Sequence, residues 1–397
     1  MASSLDPSSL VAFEDAAAGH DGVLSDSTGD LFIKPCTPAE IAFYESSLAS
    51  HPTFAALMPT FMGTLQLGSP DQILAAQAPT SGITPGTAAS LPLSDPGPLK
   101  GKKLDTQTAI VLENVAAGFE RPNIMDIKLG ARLWDEDTLP EKRARLDKVA
   151  AETTSSSLGF RVAGMRVWQG ARGGCVDGKA SDGILSQTTE NGQAKDAKGD
   201  GEEDGYKVYD KMYGRKFTAD NVKDAVWEYI RPSHTGVDEG LATGHIKCFR
   251  LVKRFHDDVS AIEECLEKQE SRMISASILF VYEGDPVARN EAWAAAQEAP
   301  KSQRGAKTAD HAEVNFNGQI EADDDGSLDE DDDDDEDDED VDDALPKLSV
   351  TKLIDFAHAK WTPGLGPDEN VLQGVRSIRK ILLDIFIALS KQWKEQL

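Results

Sequence analysis

Six apolar runs of five to ten residues read as strands: residues 29–35 (GDLFIKP), 108–115 (TAIVLENV), 123–130 (NIMDIKLG), 160–168 (FRVAGMRVW), 275–284 (SASILFVYEG) and 347–356 (KLSVTKLIDF). Between them lie stretches of helical character. Residues 37–48 offer Thr37 as N-cap and Pro38 at the first helical position, the pairing that satisfies and pre-organises a helix start. Residues 139–153, 218–230 and 256–270 are charged or amphipathic helices. At the C-terminus Val375, Ile378, Leu382, Ile385 and Leu389 recur at three- and four-residue steps, one apolar stripe on a core-facing helix. Strands mixed with helices in this order predict an α+β chain with two lobes.

Composition changes the picture at three places. Residues 68–105 are rich in Pro, Gly, Ser and Ala without periodicity, and residues 169–205 are polar and glycine-rich, so both are expected to be flexible insertions. A third, residues 286–345, contains the run Glu321–Asp343 with 18 acidic residues and no basic one. Such a block repels itself and buries nothing, so disorder is expected there. It also carries 18 of the formal charge of −28, leaving −10 for the rest. Cys36, Cys175, Cys248 and Cys265 form neither a CxxC pair nor a zinc-spaced array, which points to a reducing compartment without a structural metal. The first twenty residues lack a basic segment followed by an apolar run. The C-terminal helix is interrupted by Lys380 and Asp384, so no transmembrane segment is expected.

Several residues carry candidate chemistry. Asp126 and Lys128 stand two apart on a strand and therefore share a face. They read either as a surface ion pair or as half of an active site; the apolar neighbours Ile124, Met125, Ile127 and Leu129 favour partial burial, and charges are rarely buried without a role. Asp355 ends an apolar strand and precedes Phe356, Ala357 and His358. It reads as a turn residue or as a Mg²⁺ carboxylate, since Mg²⁺ takes one or two carboxylates and completes its shell with phosphates. Lys34 on the first strand and Glu40 on the next helix match the way protein kinases hold ATP phosphates, although no Walker A sequence or kinase glycine-rich loop is present. The strand 108–115 leads into a linker where the carbonyl of Glu113 and the amide of Val115 are placed to hold adenine. Lys142, Arg145 and Lys148 recur every three residues on the helix 139–153, a solvated face or a cradle for multiply phosphorylated ligands.

Together these residues resemble the inositol polyphosphate kinase family. Its Pro-x-x-x-Asp-x-Lys-x-Gly signature is matched by Pro122, Asp126, Lys128 and Gly130. Its Ser-Leu-Leu segment is seen as Ser277-Ile278-Leu279 with one conservative departure, and its Ile-Asp-Phe triplet as Ile354-Asp355-Phe356. The resemblance implies a two-lobed, protein-kinase-like and ATP-grasp-like fold with a small inositol-binding helical portion. The N-lobe would occupy residues 1–115 and the C-lobe residues 116–397. It implies ATP and Mg²⁺ as cofactors, inositol polyphosphates as substrates and transfer of phosphate to inositol hydroxyls. Asp126 and Lys128 would be catalytic. Lys34, Glu40, Glu113, Val115 and Asp355 would hold nucleotide, and Asp355 with Ser277 would serve the metal. Lys128, Lys142, Arg145, Lys148 and His358 would meet the inositol phosphates.

The short stretch between Gly130 and Gly159 leaves little room for a large inositol-binding insert, and residues 153–165 are similar to the fungal form of the multikinase branch. The hexakisphosphate kinases, which form pyrophosphates, are the nearest alternative. A non-catalytic scaffold or transcriptional cofactor on the same fold is the other, and intact Lys34, Asp126, Lys128 and Asp355 speak against it. The resemblance further implies a monomer in nucleus and cytoplasm with no direct nucleic-acid binding. It allows phosphatidylinositol bisphosphate as a lipid substrate. The acidic run is a solubilising linker or a dock for basic nuclear proteins.

Overall fold

The computed structural model describes residues 10–13, 22–66, 106, 108–170, 205–230, 241–298 and 347–396. Two five-stranded antiparallel sheets carry the architecture. The first follows the order β1-β2-β3-β5-β4, built from β1 (Val11–Ala12), β2 (Leu24–Ser25), β3 (Leu31–Pro35), β4 (Phe61–Gln66) and β5 (Thr108–Glu113). Between β3 and β4 run α1 (Pro38–Ser50) and the single turn α2 (Pro52–Ala55). The Thr37 hydroxyl accepts from the Glu40 amide at 3.2 Å, capping α1 as its sequence predicts.

The second sheet follows the order β11-β10-β6-β7-β8. It is built from β6 (Pro122–Leu129), β7 (Phe160–Trp168), β8 (Tyr206–Tyr209), β10 (Ser277–Glu283) and β11 (Ser349–Ile354). Between β6 and β7 lie α3 (Pro140–Ala151) and α4 (Thr154–Leu158). Two short helices, α5 (Lys211–Gly214) and α6 (Lys223–Ile230), follow β8 and precede the long α7 (Leu241–Glu267). A β-ribbon pairs β9 (Ser271–Met273) with β12 (Ala359–Trp361). The chain changes sheets between Glu113 and Pro122.

The C-terminal helix α9 (Glu369–Gln396) packs along α7. All five residues of its predicted stripe are buried, as are Leu251, Val252, Phe255, Val259, Ile262 and Leu266 on α7. α7 begins at Leu241, fifteen residues ahead of the 256–270 expectation; its apolar spacing already starts at Leu251.

The expected disorder over 286–345 needs a correction at its start. Residues Pro286–Glu298 form α8. Asp285 accepts from the amides of Val287 and Ala288 at 2.9 and 3.0 Å, Pro286 opens the first turn, and Ala292 is buried. The cap, proline and alanines were visible in the sequence, but the nearby acidic composition outweighed them. The acidic run 321–343 and the insertions over 68–105 and 171–204 lie outside the described residues.

The two sheets share one core. Phe43 of α1 stacks on Phe356 and on Trp361, each at 5.1 Å, and Phe54 of α2 meets Trp361 edge-on at 5.1 Å. Aromatic pairs of this kind contribute about 0.5–1.5 kcal/mol beyond their burial. The Leu353 amide donates to the Leu57 carbonyl at 2.8 Å, and Lys352 donates to the Ala56 carbonyl at 3.0 Å. Both contacts tie β11 to the end of α2, which fixes the mouth of the cleft between the sheets.

Candidate active site

That cleft lies between the two sheets and opens to solvent at its mouth. Its outer part is apolar. Phe13, Val23, Phe32 and Leu112 form one wall, and Ile124, Leu279 and Ile354 form the other. Glu113, Asn114, Val115 and Ala116 line the connection between the sheets, so Glu113 and Val115 stand where an adenine edge is expected. Asn114 shapes this turn. Its side chain donates to the Gly29 carbonyl at 2.7 Å and accepts from the Ala116 amide at 3.0 Å. Phe13, edge-on to Phe32 at 4.9 Å, closes the wall. It was not singled out from the sequence, because a lone aromatic beside a two-residue strand gives no signal there.

The deep end of the cleft is ionic. Lys34 Nζ lies 2.8 Å from Glu40 and 3.1 Å from Asp355. Burial alone would discharge this lysine, but Asp355 and Glu40 more than offset it and hold the ammonium above its ordinary range. The expected strand-lysine and helix-glutamate pair is therefore formed, with a third member. Lys128 joins the same carboxylate: its Nζ is 3.3 Å from Asp355 Oδ2 and donates to the Ser275 carbonyl at 2.9 Å. One aspartate is thus gripped by lysines from both sheets.

The backbone strains to make this contact. Asp355 and Ser275 have φ of 68° and 65° and are the two non-glycine residues with positive φ among those described. Both are partners of Lys128. Strain of this kind persists where the surroundings enforce it and clusters at functional sites.

Asp126 is buried and lines the cleft. It faces Gly164 on β7, and the ladder slips between Asp126 and Ile127. A bulge there re-aims a side chain. The glycine of the signature is required by geometry. Gly130 has φ 97°, and a Cβ on it would meet Asn370 Nδ2 at 2.7 Å. Asn370 is fixed in turn, accepting from the Arg132 amide at 2.7 Å and donating to the Arg132 carbonyl at 3.1 Å.

Ser277 pairs with Lys128 on one side and Ile354 on the other, so the three share a face. Lys128 must cross Ser277 to reach Asp355. The serine is fully buried, and its hydroxyl has no hydrogen-bond partner among the described residues. Its place beside Lys128 and Ile354 puts it one strand from Asp355.

Further basic side chains gather near Asp135 and Asp126. His358 is 3.1 Å from Asp135, and Lys142 of α3 acts on the same carboxylate. Arg145 and Lys148 are exposed on α3, and Lys148 lies 3.7 Å from Glu152. Of the predicted stripe, only Lys142 is thus linked to His358, through Asp135. Arg132 and Arg143 stack on Trp134 at 5.4 and 4.6 Å. Arg161, beside Asp126, was missed by the sequence reading because it sits inside an apolar strand with no spacing cue. Burial and the charge of Arg215 lower the pKa of its guanidinium, opposed by Asp126. Two like charges held together on the Asp126 side suit an incoming anion.

No group of three His, Cys, Asp or Glu side chains able to hold a metal occurs among the described residues. A single cleft carboxylate nevertheless fits a hard cation that takes its other ligands from phosphates and water. Asp355 supplies that carboxylate, strained into place at the end of β11.

This lysine–aspartate cluster beneath an apolar cleft defines a phosphotransferase site, and comparison with known proteins places it. A profile of the inositol polyphosphate kinase family matches residues 109–383, and the chain belongs to that family. Within the family, the inositol polyphosphate multikinase of Saccharomyces cerevisiae is 35% identical over 390 residues, covering 94% of this chain and 97% of that protein. Human inositol hexakisphosphate kinase 3 is 24% identical over 285 residues, covering 70% of this chain and 51% of that protein. The crystal structure of the yeast inositol phosphate multikinase with ADP and Mn²⁺ superposes with a TM-score of 0.56 at 29% identity, covering 90% of this chain and 99% of that one.

Proposed function

We propose that the chain is an ATP-dependent inositol polyphosphate multikinase that phosphorylates hydroxyls of inositol tris- and tetrakisphosphates. The observation that carries the reading is the convergence of Lys34, Lys128 and Asp355 below an apolar cleft lined by Asp126. Near-complete coverage of the yeast multikinase supports it over the hexakisphosphate kinases.

Phosphoryl transfer is mostly positioning and charge stabilisation. In this reading Glu113 to Ala116 hold the base, and the apolar walls exclude water from the nucleotide. Lys34, anchored by Glu40, meets the nucleotide phosphates. Lys128 leaves Asp355 to offset charge on the transferred group. Asp355 would hold Mg²⁺, which when bound neutralises phosphate charge. Asp126 orients the acceptor hydroxyl and takes its proton; with Arg161 close by, its role is orientation as much as basicity. Lys142, Arg145, Lys148, Arg161 and His358 receive the inositol phosphates.

Asp126→Asn should lower kcat by about 10²–10⁴-fold, the span of a positioned general base. Lys128→Ala should lower it by about 10²–10³-fold, as loss of one charge-stabilising donor does. Near wild-type turnover in either variant contradicts the assignment.

Residence in nucleus and cytoplasm, a monomeric state and recognition of basic proteins by the acidic run belong to the same reading, as does action on phosphatidylinositol bisphosphate. Cell fractionation, sizing and a lipid-kinase assay test them in turn.

A further inference from the structure

On the far side of the second sheet from the active site, a small cavity opens between α7, α8 and the two ends of β10 and β11. It is lined by Ile230, Cys248, Leu251, Arg254, Tyr282, Arg289, Trp293, Leu348 and Ser349, none of which lines the nucleotide cleft. Two arginines face it, and among the described residues no carboxylate does.

Arg289 is the unusual member. Only 7% of it is exposed, and neither its Nε nor its Nη2 meets a hydrogen-bond partner among the described residues. A guanidinium cannot shed its charge, so burying two of its nitrogens without an acceptor is costly and leaves room for an anion. Glu291, the nearest acid in sequence, is exposed on α8, and the two acids that precede Arg289 are engaged elsewhere. Asp285 caps α8, and Glu283 accepts from the amides of Glu120, Arg121 and Asp285 at 2.7 to 3.0 Å.

Arg254 reaches the cavity from α7, and its Nε donates to Ser349 Oγ at 3.0 Å. Arg254 and Ser349 both line the cavity, so the pair presents polar groups to the same space. Arg250 stacks on Trp293 at 5.1 Å, adding a third positive charge at the rim. Two arginine forks and a hydroxyl match a tetrahedral oxyanion, which accepts several charge-assisted bonds at once.

We propose that Arg289, Arg254 and Ser349 form a second anion site, remote from the cleft, that takes one phosphate group, either as inorganic phosphate or as the phosphate of a small monoester. It rests on the geometry of this cavity and not on the kinase reading.

The test is phosphate titration of the full chain, followed by thermal shift and by ³¹P line broadening, on wild type, Arg289→Met and Arg254→Met. Glycerol phosphate in a parallel arm separates the monoester from the free ion. Wild type is expected to gain thermal stability with phosphate and to bind it at least tenfold more tightly than either variant. Kinase kcat should change by less than about twofold, because neither arginine belongs to the cleft. Equal phosphate responses in wild type and both variants overturn the proposal. So does an Arg289→Met variant that is more stable than wild type at every phosphate concentration, the result expected if the guanidinium is buried with no anion at all. If Arg289→Met fails to fold, Arg254→Met decides by the same readout, since Arg254 is only half-buried and tolerates replacement.

Discussion

Asp355 carries more of the active site than any other side chain. Its φ of 68° costs about 1–3 kcal/mol in most residues, although aspartate visits this region more readily than others. The cost is offset because Lys34 and Lys128 close on its two oxygens at 3.1 and 3.3 Å. In the proposed mechanism arriving phosphates compete for both ammoniums, so these contacts are the ones exchanged for nucleotide and acceptor. At the rim, Asp135 has a lowered pKa through the Thr138 hydroxyl first, opposed by burial and aided by His358 and Lys142. A depressed carboxyl stabilises the fold above its unfolded pKa, 3.8, and loses that contribution as pH falls through the folded value. Asp135→Asn should flatten the acid limb of stability below about pH 4, by no more than about 1 kcal/mol because the pair is exposed to solvent. Urea midpoints measured from pH 2 to 6 check this; an unchanged acid limb would show that the pair contributes nothing. Lys34 and Glu40 were legible in the sequence because they sit six residues apart on adjoining elements. The Lys128–Asp355 contact was not, because 227 residues separate its partners and only the register of three strands brings them together.

At the scale of elements, the site depends on how α4 and α9 approach the end of β6. Gly159 ends α4 with φ 72°, and a Cβ there would come within 2.6 Å of the Gly374 amide nitrogen. Its carbonyl also accepts from the Gly130 amide at 2.7 Å. Backbone meets backbone at this point, so no side chain can yield. Gly159→Ala should destabilise the protein by about 2–4 kcal/mol, combining left-handed strain with a clash, and should disturb Gly130 and with it Lys128. Chemical denaturation with a parallel activity assay checks it; a loss below about 1 kcal/mol would mean the two elements separate easily. The glycine pattern in the sequence showed a turn at Gly130 but not why a turn was needed there. That required α9, which begins with Glu369. Elements with long apolar runs or capping signals were readable in advance. β4 and β8 were not, since Phe61–Gln66 and Tyr206–Tyr209 are short edge strands whose pairing comes from their neighbours.

For the whole molecule, the charge balance looks hostile to an anionic substrate. The formal charge is −28, and 18 of the negative charges belong to the run 321–343. Solvent screens fields beyond ~8 Å at physiological salt, while the basic side chains of Lys142, Arg161 and Arg215 act on or beside the carboxylates of Asp135 and Asp126. Deleting residues 321–343 should therefore change KM for an inositol phosphate by less than about twofold. The double variant Lys142→Ala/Arg145→Ala should raise it by about tenfold or more, as lost charge-assisted phosphate contacts do. Steady-state kinetics at 0.15 M salt compare the two; a larger effect from the deletion would place the acidic run in the substrate's path. No helix among the described residues is long and apolar enough to cross a membrane.

The central claim is most directly tested by incubating the protein with labelled ATP, Mg²⁺ and inositol tris-, tetrakis-, pentakis- and hexakisphosphate in separate reactions and resolving the products by chromatography. A multikinase is expected to convert the tris- and tetrakisphosphates into more highly phosphorylated monoesters, with Asp126→Asn as the silent control. Turnover confined to the hexakisphosphate, with a pyrophosphate product, or no label transfer to any inositol phosphate would contradict it.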